Sequence, residues 1–247
     1  MIKVAEIQYT ITDKITDDDG DKTMENLFLG GFADLIEVIM LTLQVSGMAT
    51  MISIILGLPA GLWLALSEFP GKKAVLSVVN FGMGLPPVVV GLFVSLLLWR
   101  YGPLGSLGIM YTPAAMIIAQ SVIASPIIAG LSFAAIGALP PNLRLQLLSL
   151  GATRWQAGWM LIKEAKLGLL AAVMAGFGGV VSEIGASMMV GGNIKGQTRV
   201  LTTATVMEVG KGNYDLAIAL SLVLLLLSYG VVAALTFAQN YGKRDSQ

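Results

Sequence analysis

The chain predicts an all-α, polytopic membrane protein with five transmembrane helices. First, 55% of its 247 residues are apolar, only 12% are charged and the mean hydropathy is +0.80, more apolar surface than a soluble core of this size can use. Second, charge-free runs extend from Val38 to Ser67, Ala74 to Trp99, Tyr101 to Leu143 and Leu216 to Gly242, each longer than the roughly 20 residues that cross the hydrocarbon layer as a helix. A fifth run, Leu167 to Ile194, holds one ionisable residue, Glu183. The runs lack the alternation over about 10 residues that marks a barrel strand, which leaves the helix as the way to satisfy every backbone group in lipid.

Taken in order, residues 1–30 read as a polar acidic tail, 31–240 as the membrane domain and 241–247 as a second tail. The stretch Met1 to Asn26 carries Asp17, Asp18, Asp19 and Asp21 and has neither the positive start nor the short apolar core of a cleavable signal peptide. The first span is then an uncleaved insertion signal, predicted from about Asp34 to Leu66. Its Gly57 and Gly61 have the small-xxx-small spacing that lets helices approach closely; this reads either as a contact with a second copy or as the ordinary glycine content of membrane helices. A turn from Glu68 to Lys73 leads to a second helix, about Lys73 to Trp99. There Gly84-Leu85-Pro86-Pro87 removes backbone donors and predicts a bend that neighbours or a wet cavity must satisfy.

A glycine-rich turn from Arg100 to Thr112 precedes a third helix to about Gly137, with a central break expected at Ser125-Pro126. The fourth, about Gly168 to Val190, is crowded with small residues, Gly176, Gly178, Gly179, Ser182, Gly185, Ala186 and Ser187, which suit a tightly packed or cavity-lining place. Gly191 to Asn213 reads as a polar loop, and the fifth helix as Tyr214 to Gln239. Five spans put the termini on opposite sides. The basic short loops, with Lys72, Lys73, Lys243 and Arg244, favour an N-terminus outside and a C-terminus in the cytoplasm.

Cysteine and histidine are both absent, which removes disulfides, thiol chemistry and imidazole ligands or bases. No catalytic residue, no metal site and no nucleic-acid partner is expected. Gly191-Gly192-Asn193-Ile194-Lys195-Gly196-Gln197-Thr198 matches a phosphate-binding P-loop except that Gln197 stands at the lysine position. An apolar helix precedes it where a P-loop needs a strand, so the chain is not expected to hydrolyse ATP. Glu183 reads either as a pathway residue or as a carboxylate that serves helix packing. Asn193, Lys195 and Arg199 offer an outer, positive entrance for an anion, or are simply solvated.

The segment from Ala138 to Gly168 is different in kind. It carries Arg144, Arg154, Lys163 and Lys166, breaks at Gly151-Ala152-Thr153 and contains Trp155 and Trp159. Thr153 is placed to cap a short second helix, Leu147, Leu148 and Leu150 give an apolar side, and the tryptophans are of the interfacial type. Such a segment either lies on lipid or docks a partner, and its length between two spans favours docking.

Leu148-Ser149-Leu150-Gly151-Ala152-Thr153-Arg154-Trp155 resembles the cytoplasmic signature of ATP-binding-cassette importer permeases, a Glu-Ala-Ala, three residues, then Gly. The resemblance covers about Gly31 to Ala238. Further along, Ser182-Glu183-Ile184-Gly185-Ala186, Met189-Val190-Gly191-Gly192-Asn193-Ile194 and Leu201-Thr202-Thr203-Ala204 are similar to the tungstate-type branch, close to molybdate permeases. Leu85-Pro86-Pro87-Val88 is similar to the second helix of both. The chain departs from the pattern at Leu145, Gln146 and Leu147, where the signature has Glu-Ala-Ala.

The resemblance implies a type I importer permease with a cytoplasmic coupling helix, Leu148 to Trp155, and a homodimer whose copies form one pathway. It implies two cytoplasmic ATPase subunits that bind ATP and Mg, an extracellular oxyanion-binding protein, a surrounding membrane lipid, and no cofactor in this chain. Residues expected along the pathway are Pro86, Pro87, Ser125, Ser182, Glu183, Gly185 and Ser187. The expected cargo is tungstate, with molybdate, sulfate and phosphate as alternatives. A gradient-driven secondary transporter competes, but calls for inverted repeats and more intramembrane charge than Glu183 supplies.

Overall fold

A computed structural model describes the backbone from Asp19 to Arg244 and the side chains from Ala33 to Phe237. Met1 to Asp18, most of the expected acidic tail, and Asp245 to Gln247 lie outside the described residues. All regular structure among those described is helical. The order is α1 (Asp19–Leu66), α2 (Lys72–Met83), α3 (Pro87–Leu98), α4 (Pro113–Gly137), α5 (Leu143–Ser149), α6 (Arg154–Glu164), α7 (Lys166–Val181), α8 (Gly185–Gly191), α9 (Leu201–Gly210) and α10 (Tyr214–Arg244). Three of these, α1 from Ala33, α4, and α10 to Phe237, are long and apolar enough to cross a membrane. The bent pairs α2–α3 (99°) and α6–α7 (63°) make five if each is one span.

The centre of the molecule is α4, and glycine decides how closely its neighbours approach. Along α1, Ala49, Ser53, Gly57 and Gly61 recur every fourth residue, one stripe of a helix, and all are buried. A Cβ on Gly57 would stand 2.5 Å from the Ser125 carbonyl oxygen, and one on Gly61 2.3 Å from that of Ala129. The small-xxx-small spacing thus serves a contact within the chain. Because lipid tails are as apolar as side chains, this close packing and the bonds it permits hold such helices together. Ser53 Oγ donates to the Ser121 carbonyl and Ser121 Oγ to that of Ala49, each at 3.3 Å. Elsewhere along α4, a Cβ on Gly176 would meet Ile128 at 2.6 Å and one on Gly168 would meet Ala135 at 2.7 Å, which seats α7.

Two boundaries differ from expectation. The break foreseen at Ser125-Pro126 is absent, and α4 runs through it. Pro126 packs its ring against Gly82, where a Cβ would come within 2.8 Å, and the Ser125 hydroxyl donates to the Ser121 carbonyl at 2.6 Å. Neighbouring helices and hydroxyls of this sort make a membrane proline tolerable. The fourth span breaks instead: α7 ends at Val181 and α8 starts at Gly185. The expected break between Met83 and Pro87 is present, with Pro87 at the first helical position of α3, where its missing donor costs nothing.

The expected loop from Gly191 to Asn213 contains a full helix, α9. Its start is tied down by Leu201 N–H donating to Thr42 Oγ1 at 2.9 Å and Val200 N–H donating to Thr203 Oγ1 at 3.1 Å. A threonine-rich, non-periodic stretch reads as a loop, and tertiary hydrogen bonds make it a helix.

Candidate functional site

At the charged end of the molecule, α5 and α6 are two short helices joined by Leu150 to Thr153, so the expected coupling helix, Leu148 to Trp155, is not one helix but the turn between two. Gly151 has φ 89°, a left-handed conformation that other residues adopt only with strain. Thr153 Oγ1 accepts from Gln156 N–H at 3.3 Å, and the Gln156 side chain accepts from Thr153 N–H at 2.8 Å. This reciprocal capping box fixes the entry to α6. The apolar side expected from the leucines is split. Leu143 and Leu147 pack inward onto Leu161, Ala165 and Leu169, Leu148 is half-buried, and Leu150 is 85% exposed at the tip of the turn. Ser149, Gly151, Arg154 and Trp155 are exposed as well. A rigid turn thus presents a large apolar side chain to solvent, beside two of the chain's exposed tryptophans, Trp155 and Trp159.

In the body of the molecule the helix breaks before α3 and α8 lie side by side. A Cβ on Gly185 would stand 2.5 Å from Val88 Cγ2, one on Gly91 would stand 2.6 Å from Ala186 Cα, and Ser95 Oγ donates to the Met189 carbonyl at 3.2 Å. The contacts climb together along both helices, so α3 and α8 run in the same direction from adjacent breaks. Glu183 is buried, and its Oε1 accepts from Ala186 N–H at 2.8 Å, satisfying one orphan donor at the start of α8. Its backbone carbonyl accepts from Thr202 Oγ1 at 3.2 Å. Of its two sequence readings, the packing role is the one with visible partners.

The pathway residues foreseen from sequence are therefore partly gathered. Pro86 and Ser182 are exposed beside the two breaks, and Pro87 and Gly185 are half-buried next to them. Ser125 is half-buried against α1, and Ser187 is fully buried, accepting from Gln120 Nε2 at 3.0 Å. Sequence reasoning passed over Gln120, whose Oε1 is buried without a hydrogen-bond partner among the described residues. An amide inside a charge-free run was the available signal. It also passed over Thr42, Ser46, Thr50 and Ser53, which share one buried face of α1.

The residues expected to form a positive entrance, Asn193, Lys195 and Arg199, lie close to partners within the chain. Lys195 is paired with Asp34, and Arg199 donates to the Asn193 carbonyl at 3.4 Å. A cavity of about 360 Å³ there is lined by Asp34, Glu37 and Glu208 against Lys195 and Arg199, so carboxylates outnumber cations. The Lys211 ammonium, hydrogen-bonded to Glu208, holds that carboxyl below its usual range although burial opposes this. Asn193 stands in a left-handed turn, φ 53°. The near-miss P-loop is closed on itself, because Thr198 Oγ1 accepts from Ile194 N–H at 2.9 Å and donates to the Gly191 carbonyl at 2.6 Å. No group of three or more metal-ligating side chains occurs among the described residues.

The sequence profile of the family described as "binding-protein-dependent transport system inner membrane component" matches residues 57–241. A probable anion ABC transporter permease protein of Haloferax volcanii is 40% identical over 81% of this chain and 88% of its own. A tungstate uptake system permease protein of Peptoclostridium acidaminophilum is 39% identical over 82% of this chain and 89% of its own. Among solved structures, an inward-facing methionine ABC transporter superposes with a TM-score of 0.69 and 23% identity, over 87% of this chain and 95% of the other, a likeness of fold.

Proposed function

The chain belongs to the family of binding-protein-dependent transport system inner membrane components, and on that premise we propose that it is the permease subunit through which an ATP-binding-cassette importer takes up tungstate. It is a multi-pass membrane protein that works with an ATPase and a substrate-binding protein. The observation that carries the substrate is the 39% identity to a tungstate uptake permease over most of both chains. For the coupling, it is the exposed, capped turn at Leu150 on a chain whose one P-loop-like segment is closed by Thr198.

Two copies form one pathway, and two cytoplasmic ATPase subunits, which bind the ATP and Mg, meet the residues from Leu148 to Trp155. The N-terminus is outside with the binding protein, and the C-terminus is cytoplasmic. When the ATPases close on ATP they bind one arrangement of this turn better than the other, and that difference in affinity is what moves the equilibrium. The turn leads into α6, and α6 into α7 through Ala165 alone, so a displaced turn tilts the span that ends at Ser182. The anion needs only weak contacts beside the adjacent breaks that hold Pro86, Pro87, Ser182 and Gly185, because selection resides in the binding protein.

The test is uptake by the permease, ATPase and binding protein reconstituted in vesicles. Tungstate enters only with ATP and ionophores have no effect; uptake that follows an ion gradient, or sulfate taken up as readily as tungstate, overturns the reading. Gly151→Val forces a branched residue into φ 89° at a cost of roughly 1–3 kcal/mol. It is expected to cut uptake at least tenfold while the folded protein remains in the membrane. Unchanged uptake would remove the turn from the coupling path.

A further inference from the structure

We propose that Thr202 is a positioning residue for transport: its hydroxyl holds the Glu183 carbonyl, and with it the start of α8, in place while a displacement arriving through α7 is taken up at Ser182 to Ile184. The inference rests on the coupling proposed above, in which the turn at Leu150 moves α7 through α6. Glu183 is where two sets of bonds meet. Its N–H donates back into α7, to the Val180 carbonyl at 3.1 Å, as the Ser182 N–H does to that of Gly178 at 3.3 Å. Its carboxylate reaches forward and accepts from Ala186 N–H at 2.8 Å. The next carbonyl, that of Ile184, accepts from Met188 N–H at 2.8 Å. The main-chain carbonyl of Glu183 is held from outside both helices, by Thr202 Oγ1 at 3.2 Å. Thr202 is 4% and Glu183 8% exposed, so water is poorly placed to replace this bond once the hydroxyl is lost.

Thr202 can fix that carbonyl because α9 is itself fixed. The preceding N–H, of Leu201, donates to Thr42 Oγ1 of α1 at 2.9 Å, and Val200 N–H donates to Thr203 Oγ1 at 3.1 Å. Thr42, Leu201 and Thr203 are all buried. The rest of α8 is tied down in the same way. Gln120 of α4 donates to Ser187 Oγ at 3.0 Å, Ser95 of α3 to the Met189 carbonyl at 3.2 Å, and Thr198 to the Gly191 carbonyl at 2.6 Å. Hydrogen bonds are directional, and one is lost when its partners part by about 1 Å. Helix α7 meets α4 at Gly168 and Gly176 through Ala135 and Ile128, aliphatic contacts that have no direction. A displacement entering at Ala165 therefore passes along α7 more easily than across the break, and Thr202 stands at the boundary. Were Thr202 only a partner for a buried carbonyl, its loss would lower stability and leave the coupling alone.

The experiment measures ATP hydrolysed per tungstate carried by permease, ATPase and binding protein in vesicles, with melting temperature followed separately. Thr202→Val keeps the shape and removes the donor. It is expected to raise the ratio by on the order of tenfold, because the ATPases still close while the break gives way. Thr202→Ser retains the hydroxyl and returns the ratio to within about twofold of the wild type. Thr205→Val is the control, since Thr205 Oγ1 bonds the Leu201 carbonyl within α9, and its ratio stays at the wild-type value. A T202V ratio equal to that of the wild type, whatever the melting temperature, overturns the proposal; so does failure of T202S to restore it, or an equal rise in T205V. If T202V does not fold, hydrogen–deuterium exchange on the wild-type permease–ATPase complex decides. A non-hydrolysable ATP analogue is expected to change exchange in residues 168–182 and to leave 185–191 and 201–205 as they were. A change spread evenly over all three, or none in any, overturns the proposal. Exchange needs no cargo, so a wild type that carries no tungstate counts against the tungstate reading alone and the exchange pattern still decides this one.

Discussion

Helix α4 and the α7–α8 pair cross the middle of the molecule next to each other, and each does what the other's sequence suggests. The first contains a proline and stays continuous from Pro113 to Gly137; the second has none and breaks at Ser182 to Ile184. A proline costs a helix one donor and a clash, which neighbours can absorb: here Gly82 makes room for the ring and Ser125 bonds the preceding turn. The α7 sequence instead offers a competing start. Gly178 and Gly179 weaken its last turn, and Glu183 can bond the N–H of Ala186 only if a new helix begins there. Continuity in a membrane helix is thus decided by which backbone groups find partners, not by which residue is called a breaker.

The largest effect is expected where the continuous helix is most tightly held. Gly61→Leu puts a side chain where a Cβ already lies 2.3 Å from the Ala129 carbonyl oxygen, an overpacking that costs typically 1–3 kcal/mol and more when backbone must move. Loss of monodisperse protein in detergent, or a fall of several degrees in melting temperature, is the outcome to look for. Gly47→Leu on the same helix, where a Cβ meets nothing within 4 Å, leaves both unchanged. Equal behaviour of the two variants would mean that the α1–α4 seam does not hold the centre together.

A smaller effect sharpens the other half of the comparison. Glu183→Leu removes the acceptor for Ala186 N–H, and a lost cap costs about 1 kcal/mol, more where the donor is left buried. Glu183→Gln keeps an acceptor in place and is expected to restore the melting temperature. Uptake by the glutamine variant separates the roles: if it equals the wild type, the carboxylate acts through the break it caps. Wild-type stability with altered uptake would show that its charge acts on the passing anion.

How much of this was legible in the sequence follows from the range of the forces involved. Three continuous apolar spans, the break at Gly84 to Pro86, the break at Gly151 and the capping Thr153 are local matters of span length, proline chemistry and turn geometry, and these appear where the residues put them. The reading of Ser125-Pro126 as a break failed because the relief comes from Gly82, far away in sequence. Helix α9 was missed because its anchors, Thr42 and Glu183, belong to α1 and to the break between α7 and α8. Lys195, counted toward a positive entrance, has Asp34 beside it. Charges counted along a loop say nothing of the partners that folding brings to them.

Pro126→Ala should do least of all, and its smallness is informative. In an isolated helix interior, alanine is favoured over proline by about 3 kcal/mol. Here most of that gain is already in hand, since the helix is continuous and the adjoining turn carries the Ser125–Ser121 bond. Alanine would restore one backbone bond and lose the ring contact with Gly82, two terms of similar size and opposite sign. A net change within about 1 kcal/mol is expected, read as a melting temperature near the wild-type value. A large stabilisation would mean that the proline strains α4 and that the breaks before α3 and α8 are shared with a third, latent one. A large loss would mean that the ring against Gly82 is what fixes α2 to the centre, and that the bend of the α2–α3 pair depends on it.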